Sequence, residues 1–225
     1  MEIKEQQFQS RIRYVVIREV EAPTRANDGD AGLDFYIPTN LKFSDLAKAN
    51  SEASDIKISD WPFDDIVPES YVTRSENGAA AVFLKTNKNG IIEKITLEPN
   101  ARVLIPSGIC CLIEPKESML MAANKSGVCS KQGLIYGAEI VDSPYVGEIH
   151  ISIINTSRSF QEIDLTKKII QFIHVPIYAT QPEKIDINTF GELSKNWGER
   201  GSDGFGSSDK DRDNQGYIPE LNDII

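Results

Sequence analysis

From Glu148 to Ile153 the chain alternates without a break, with Ile149, Ile151 and Ile153 on one face and Glu148, His150 and Ser152 on the other. A period of two is the mark of a strand with one buried face. Just before it, Ile140-Val141-Asp142 runs into Ser143-Pro144, then Tyr145 and Gly147. The pattern predicts a half-buried β-hairpin with a carboxylate at the foot of one strand and an aromatic ring at the tip.

Other stretches repeat the signal. "RYVVIREV" (Arg13–Val20) is β-branched and ends in the turn-rich "EAPTRANDGDAG", and "LDFYIP" follows as a short strand. From Ile95, "ITLEPNARVLIPSGICCLIEP" reads as strands punctuated by Pro and Gly, followed by "SMLMAANKSGV" and "QEIDLTKKIIQFIHVPI". Many short strands with such turns, and almost no helical period, predict an all-β antiparallel barrel or jelly roll. One short helical turn is expected within Ser126–Leu134. Residues 1–40 and 91–195 are expected to form the barrel. Residues 41–90 look like an insertion, holding a short helix in "FSDLAKANSEASD" and a hairpin that turns at Asn89-Gly90, a favoured two-residue turn. Residues 196–209 form a Gly/Ser-rich motif, and 210–225 a polar tail.

Charge limits the partners. Lys and Arg number 24 against 34 Asp and Glu, a net charge of −10. Such a surface repels nucleic-acid backbone and anionic membrane, so neither is expected as a partner. A small anion remains acceptable if a metal or local cations balance it. Cys110, Cys111 and Cys129 are an odd set with no zinc spacing, and read as small buried hydrophobes of a reducing compartment. With no signal core and no apolar run near 20 residues, a cytoplasmic, soluble protein is expected.

Taken singly, the polar candidates stay ambiguous. Asp142 suits either a turn cap or a fixed base. Tyr145 suits packing or a ligand platform. Ser126 reads equally as a plain turn serine, and Gln171 as a solvent-facing strand residue.

Five stretches in order resemble the signatures of the trimeric dUTPase family: "AGLDFY" with Asp34, "NKSGV" with Ser126 and Gly127, "AEIVDSPYVGE" with Asp142 and Tyr145, "KKIIQF" with Gln171, and "RGSDGFGSSD" from Arg200 to Asp209. The resemblance covers Arg13–Pro38 and Ile95–Asp209. It implies a distorted jelly roll assembled as a homotrimer with shared active sites, and hydrolysis of dUTP to dUMP and pyrophosphate with Mg2+. Asp142 would be the general base. Ser126 would stabilise charge on the oxygen between the α- and β-phosphates, and Gln171 would bond the α-phosphate or the attacking water. Asp34 would hold a water of the Mg2+ shell, in keeping with an ion that retains several waters.

The same resemblance places Tyr145 under deoxyribose, and backbone groups of Ala138, Ile140 and His150 on uracil. Lys125, Ser126 and Gly127 would face phosphate. Arg200 would clamp the γ-phosphate and Phe205 would stack on uracil, with Gly206, Ser207 and Ser208 completing a lid. Several positions depart from the family pattern. Lys125 replaces Arg and loses its bidentate fork, Glu139 replaces Gly, Thr166-Lys167-Lys168 replaces Gly-Asp-Arg, and Asp203 and Asp209 replace glycines. Two other readings stand beside this one: a dCTP deaminase relative, and a nucleotide sensor or partner-binding protein whose partner docks at the insertion.

Overall fold

A computed structural model of the chain describes residues 10–51, 70–74 and 81–195. Its longest strand, β6 (Arg102–Glu114), lies between β1 (Arg11–Val16) and β10 (Glu148–Asn155), and β8 (Leu134–Tyr136) closes that sheet. A second sheet runs β11 (Gln161–Ile163), β5 (Ile92–Leu97), β4 (Ala81–Thr86) and β3 (Ser70–Arg74). The third runs β2 (Gly32–Phe35), β12 (Ile170–Pro176), β7 (Ser118–Asn124) and β9 (Ile140–Asp142). Every pairing is antiparallel. Among the described residues three short helices accompany them: α1 (Phe43–Ser51), α2 (Ser126–Gln132) and α3 (Ile187–Ser194). The all-β, jelly-roll-like expectation holds.

The isoleucine alternation does what a period of two predicts. Along β10, Ile149, Ile151 and Ile153 are buried while Glu148, His150 and Ser152 are only partly so. The isoleucines join a core with Phe35, Leu84, Ile95, Ile105, Leu120 and Phe172. The rings of Phe35 on β2 and Phe172 on β12 sit 4.6 Å apart at a tilt, a favoured aromatic geometry.

The predicted hairpin needs correction. Strand β9 does not pair with β10; its edge is taken by β7, with Met119 opposite Asp142, Leu120 opposite Val141 and Met121 opposite Ile140. The two limbs run together only at their base, where β8 pairs with β10 and the Gly137 amide donates to the Ser152 carbonyl at 3.0 Å. A Cβ on Gly137 would stand 2.9 Å from the Ile154 side chain, so glycine permits that close crossing. Beyond it the limbs part into different sheets and rejoin through the turn 142–147, closed by Tyr145 N–H to the Asp142 carbonyl at 3.0 Å.

The limits drawn for residues 41–90 also change. Leu41, Phe43, Leu46 and Ala47 are buried in the same core as the strands, as are Val82 and Leu84 of β4. Helix α1 lies beside β6 where β1 has ended. There the Asn50 side chain both accepts from Leu104 N–H and donates to the Leu104 carbonyl, each at 2.8 Å, replacing a missing ladder rung. The β4–β5 turn is wider than two residues, with Gly90 at φ 72° and Asn87 N–H donating to the Ile91 carbonyl at 2.9 Å. The candidate partner surface of the insertion falls largely on 52–69 and 75–80, outside the described residues.

By its contacts the chain divides at Ala179/Thr180 rather than at 195. The second unit contains α3, capped at its N-terminus by Asp186, whose carboxylate accepts from the Asn188 and Thr189 amides. The expected helical turn is α2, ended by Gly133 in the left-handed region at φ 65°. Of the cysteines only Cys111 is buried; Cys110 beside it on β6 faces the opposite way, and Cys129 lies on α2, which buries no residue. Burial pushes its thiol up to about 11. No described helix is long and apolar enough to cross a membrane.

Replacement of fully buried Leu46 by Ala is expected to lower the unfolding free energy by ~2–5 kcal/mol in urea denaturation. A loss below ~0.5 kcal/mol, the range of surface substitutions, would mean that α1 is an appendage and not part of the core.

Candidate active site

The sequence candidates separate into two clusters. The first surrounds a cavity of about 580 Å³ lined by Lys125, Ser126, Gly127 and Gln171 together with Lys131, Gln132, Asp164, Lys167 and Lys168. Its geometry follows from β12 lying between β2 and β7. Gln171 stands opposite Asp34 on one side and Ala123 on the other, which brings three sequence-distant motifs to one place. The Gln171 amide donates to the Asn124 carbonyl at 3.1 Å. Gly32 makes room for it, since a Cβ there would lie 2.5 Å from Gln171 Oε1. Ser126 and Gly127 open α2 and are exposed toward the cavity.

Four lysines give this cavity a local positive field in a chain of net charge −10. Two of them share one counter-ion. Lys125 Nζ bonds Asp34 Oδ1, and Lys168 Nζ lies 2.9 Å from Asp34 Oδ2. Asp34 is 3% exposed. Its burial would raise the carboxyl pKa, but hydrogen bonds from Lys125 and Lys168 outweigh that and hold it below the ordinary value. Lys167 pairs with Asp164, 2.6 Å away. Hydrogen bonds from Lys167 and then Thr166 hold the Asp164 carboxyl down at about 2.

Asp34 as arranged does not fit the metal-shell role expected of it. Both oxygens are engaged by ammonium groups, and the side chain is out of solvent. Among the described residues no group of three or more His, Cys, Asp or Glu side chains is placed to hold a metal. The chemistry of the cavity is that of a cationic seat for a polyanion.

The second cluster is the splayed finger. Asp142 ends β9 and is exposed. Tyr145 is 45% exposed and donates its hydroxyl to the Glu148 carbonyl at 2.8 Å. Ala138 and Ile140 are exposed on one limb. His150 is half-buried on the other, its Nδ1 2.8 Å from the Glu148 carbonyl oxygen. None of these lines the lysine cavity. The register explains why. Asp142 stands opposite Met119 and Gln171 opposite Ala123, four residues further along β7 and on its other edge. Strand geometry puts those positions about 14 Å apart along the strand and ~10 Å apart across it. The base candidate and the phosphate candidates of one chain therefore do not converge.

Arg200, Phe205, Gly206, Ser207 and Ser208 lie outside the described residues. Sequence reasoning missed Lys131 and Gln132 as cavity residues, and treated Lys167 and Lys168 only as departures. The doubled lysine before "IIQ" was the available signal.

Comparison with known proteins gives the family. The family model described as dUTPase matches residues 71–209. The chain belongs to the dUTPase family. A relative named deoxyuridine 5'-triphosphate nucleotidohydrolase from Legionella pneumophila (strain Paris) is 31% identical over 156 residues, covering 68% of this chain and 94% of that protein. Among solved structures, a point mutant of the Staphylococcus bacteriophage 80alpha dUTPase with dUpNHpp aligns over 88% of this chain and 98% of its own at 17% identity, with a TM-score of 0.56. A point mutant of the dUTPase from phage phi11 of S. aureus, described with a structural Mg(II) ion, aligns over 78% and 97% at 16% identity with a TM-score of 0.50. At those identities the likeness is one of fold.

The Asp34 pairing sets a pH dependence. A depressed carboxyl contributes stability that is fully present above its unfolded pKa of about 4 and is lost as pH falls through the lower folded value. Thermal unfolding followed from pH 7 to pH 2 should therefore show a loss below about pH 4 that is shallower in Asp34→Asn. That variant should be ~1–3 kcal/mol less stable at pH 7. Identical pH profiles would contradict the pairing.

Proposed function

We propose that the chain hydrolyses dUTP to dUMP and pyrophosphate in active sites shared between copies of a homotrimer. The observation that carries this reading is the placement of Asp142 and Gln171 at rungs four residues apart on opposite edges of β7, within a chain of the dUTPase family. A base and a phosphate seat that do not meet within one chain meet between chains, and closed threefold symmetry repeats that meeting three times.

In this reading the triphosphate lies in the lysine cavity of one copy. The Ser126 hydroxyl, the Gly127 amide and the Lys125 ammonium address its oxygens, and Gln171 holds the α-phosphate or the water. Lys131, Lys167 and Lys168 supply the remaining positive field. The finger of a second copy brings Asp142, whose carboxylate orients a water and accepts its proton. The water oxygen attacks the α-phosphorus in line, the bond from α-phosphorus to the bridging oxygen breaks, and pyrophosphate leaves with that electron pair. Catalysis of this kind is mostly positioning and charge stabilisation, which the ladder and the lysines provide.

Tyr145 lies against the deoxyribose and leaves no space for a 2′-hydroxyl. The limbs around Ala138, Ile140 and His150 offer backbone groups to the uracil edge, a match that cytosine leaves unpaired. By the family resemblance, Arg200 is assigned to the γ-phosphate and Phe205 to the base, with Gly206, Ser207 and Ser208 as further contacts. Mg2+ enters on the triphosphate, so that the magnesium nucleotide is the substrate. The engaged state of Asp34 supports that assignment over a metal seat built by the protein.

Asp142→Ala is expected to abolish turnover. Ser126→Ala is expected to lower it by ~10²–10³-fold, the cost of removing one charge-stabilising donor. Co-refolding the two impaired variants in equal amounts should restore about a quarter of the wild-type sites, because a site then needs Asp142 from one kind of chain and Ser126 from the other. Product release from dUTP measured on the mixture checks this. A mixture no more active than its components would place both groups in one chain.

A further inference from the structure

Of the residues that hold Tyr145 in place, Glu148 closes the third sequence motif, and Arg18, Asp45 and Gly108 lie outside all five. The ring hangs from the main chain of Glu148, through its hydroxyl. The Glu148 carboxylate faces inward, with 13% of its side chain exposed, and accepts three hydrogen bonds from two residues. Arg18 takes both oxygens in a fork, Nε to Oε1 at 2.7 Å and a terminal nitrogen to Oε2 at 3.0 Å. The Gly108 amide donates to Oε1 at 2.7 Å. That amide is presented by an irregularity in β6, where Gly108 has φ 74° and where a Cβ would stand 2.9 Å from Val20 and 3.0 Å from the Arg18 side chain.

The free arm of the guanidinium reaches the other way. Its second terminal nitrogen lies 2.9 Å from Asp45, in the first turn of α1. Helix α1 is itself fixed, by the double hydrogen bond of Asn50 to Leu104 and by Phe43 and Leu46 in the core. An unbroken chain of bonded groups thus runs from β6 through Asn50 and α1 to Asp45, Arg18, Glu148 and the Tyr145 hydroxyl.

We infer that Arg18 is a positioning residue for sugar discrimination, clamping Glu148 and so fixing the Tyr145 ring, and that α1 anchors it through Asp45. The inference deepens the dUTP reading and rests on it. Refusal of a 2′-hydroxyl by a ring is a contact effect, decided within fractions of an ångström, and positioning errors of that size are felt strongly in rate. The turn 142–147 bridges two sheets, so its Tyr145 takes its position from its ends. Asp142 is held by β7, and Glu148 by the arginine fork. Without Arg18 the Glu148 carboxylate would be a half-buried charge with one amide donor, and would turn to water, carrying the start of β10 with it. Arg18 does not line the lysine cavity, so it acts through Glu148 and Tyr145 and not on phosphate.

The test is steady-state hydrolysis of dUTP and UTP by the full chain as wild type, Arg18→Met, Arg18→Lys, Tyr145→Phe and the Arg18→Met/Tyr145→Phe pair. Arg18→Met is expected to lower the dUTP-over-UTP ratio of kcat/KM by about tenfold or more, chiefly through KM. Arg18→Lys should recover part of it, having charge but no fork. Tyr145→Phe should show a similar fall, and the double variant should be no worse than the poorer single, because both changes cut one chain of contacts. An unchanged ratio in Arg18→Met with only a lower melting temperature, or fully multiplicative effects in the double variant, would overturn the inference. Should Arg18→Met fail to fold, Asp45→Asn keeps the fork and an acceptor for the Lys42 amide, and weakens the anchor by removing its charge. It should reduce the ratio by about two- to threefold, the size of one partly exposed ion pair, and an unchanged ratio would overturn the role of α1. A wild type that fails to prefer dUTP would instead defeat the parent reading.

Discussion

Strand β7 is hydrogen-bonded on both edges, and those two ladders fix where Asp142 and Gln171 stand. Along one edge β12 runs its full length, from Ser118 opposite Pro176 to Asn124 opposite Ile170. Along the other, β9 takes only three rungs at the far end. Register in a sheet with a buried face is strongly specified, because a slip of one residue would turn every inward side chain outward. Leu120 and Ala122 on β7 and Phe172 on β12 are all in the core, so neither ladder is free to slide. The separation of Asp142 from Gln171 is therefore a property of the core as much as of the site.

Charge organises the rest. An acidic chain gathers four lysines around one cavity and keeps two of them ordered on a single buried carboxylate. Asp34 pairs with lysines that would otherwise repel one another, and its burial strengthens both bonds at the cost of desolvation. The second ionic centre, Arg18 between Asp45 and Glu148, is alike in design and different in purpose. One centre holds two lysines beside a cavity. The other holds backbone, joining a helix of the 41–90 segment to the finger.

Much of this was legible in the residues. The isoleucine alternation of β10 and the Pro/Gly punctuation predict antiparallel strands, and the order of the five motifs predicts the family to which the chain belongs. Asp142, Ser126 and Gln171 were singled out by the family motifs they stand in, although nothing in a linear text shows which of them converge. The splaying of the finger was hidden because local alternation specifies a strand and not its partner; only the competition between β7 and β10 for β9 decides that. The burial of α1 was hidden for a related reason. Its apolar residues, Phe43, Leu46 and Ala47, are few, and the acidic text that follows masks them. The pairing of Asp34 with Lys168 joins positions 134 residues apart in sequence, and no local pattern foretells it.

A crystal structure of the assembled protein with dUpNHpp, a slow dUTP analogue, tests the central claim most directly. The α-phosphate bound at Ser126 and Gln171 of one copy should face the Asp142 carboxylate of another copy, with a water between them at hydrogen-bond distance. An analogue whose α-phosphate meets Asp142, Ser126 and Gln171 of the same copy, or lies far from every Asp142, would contradict it.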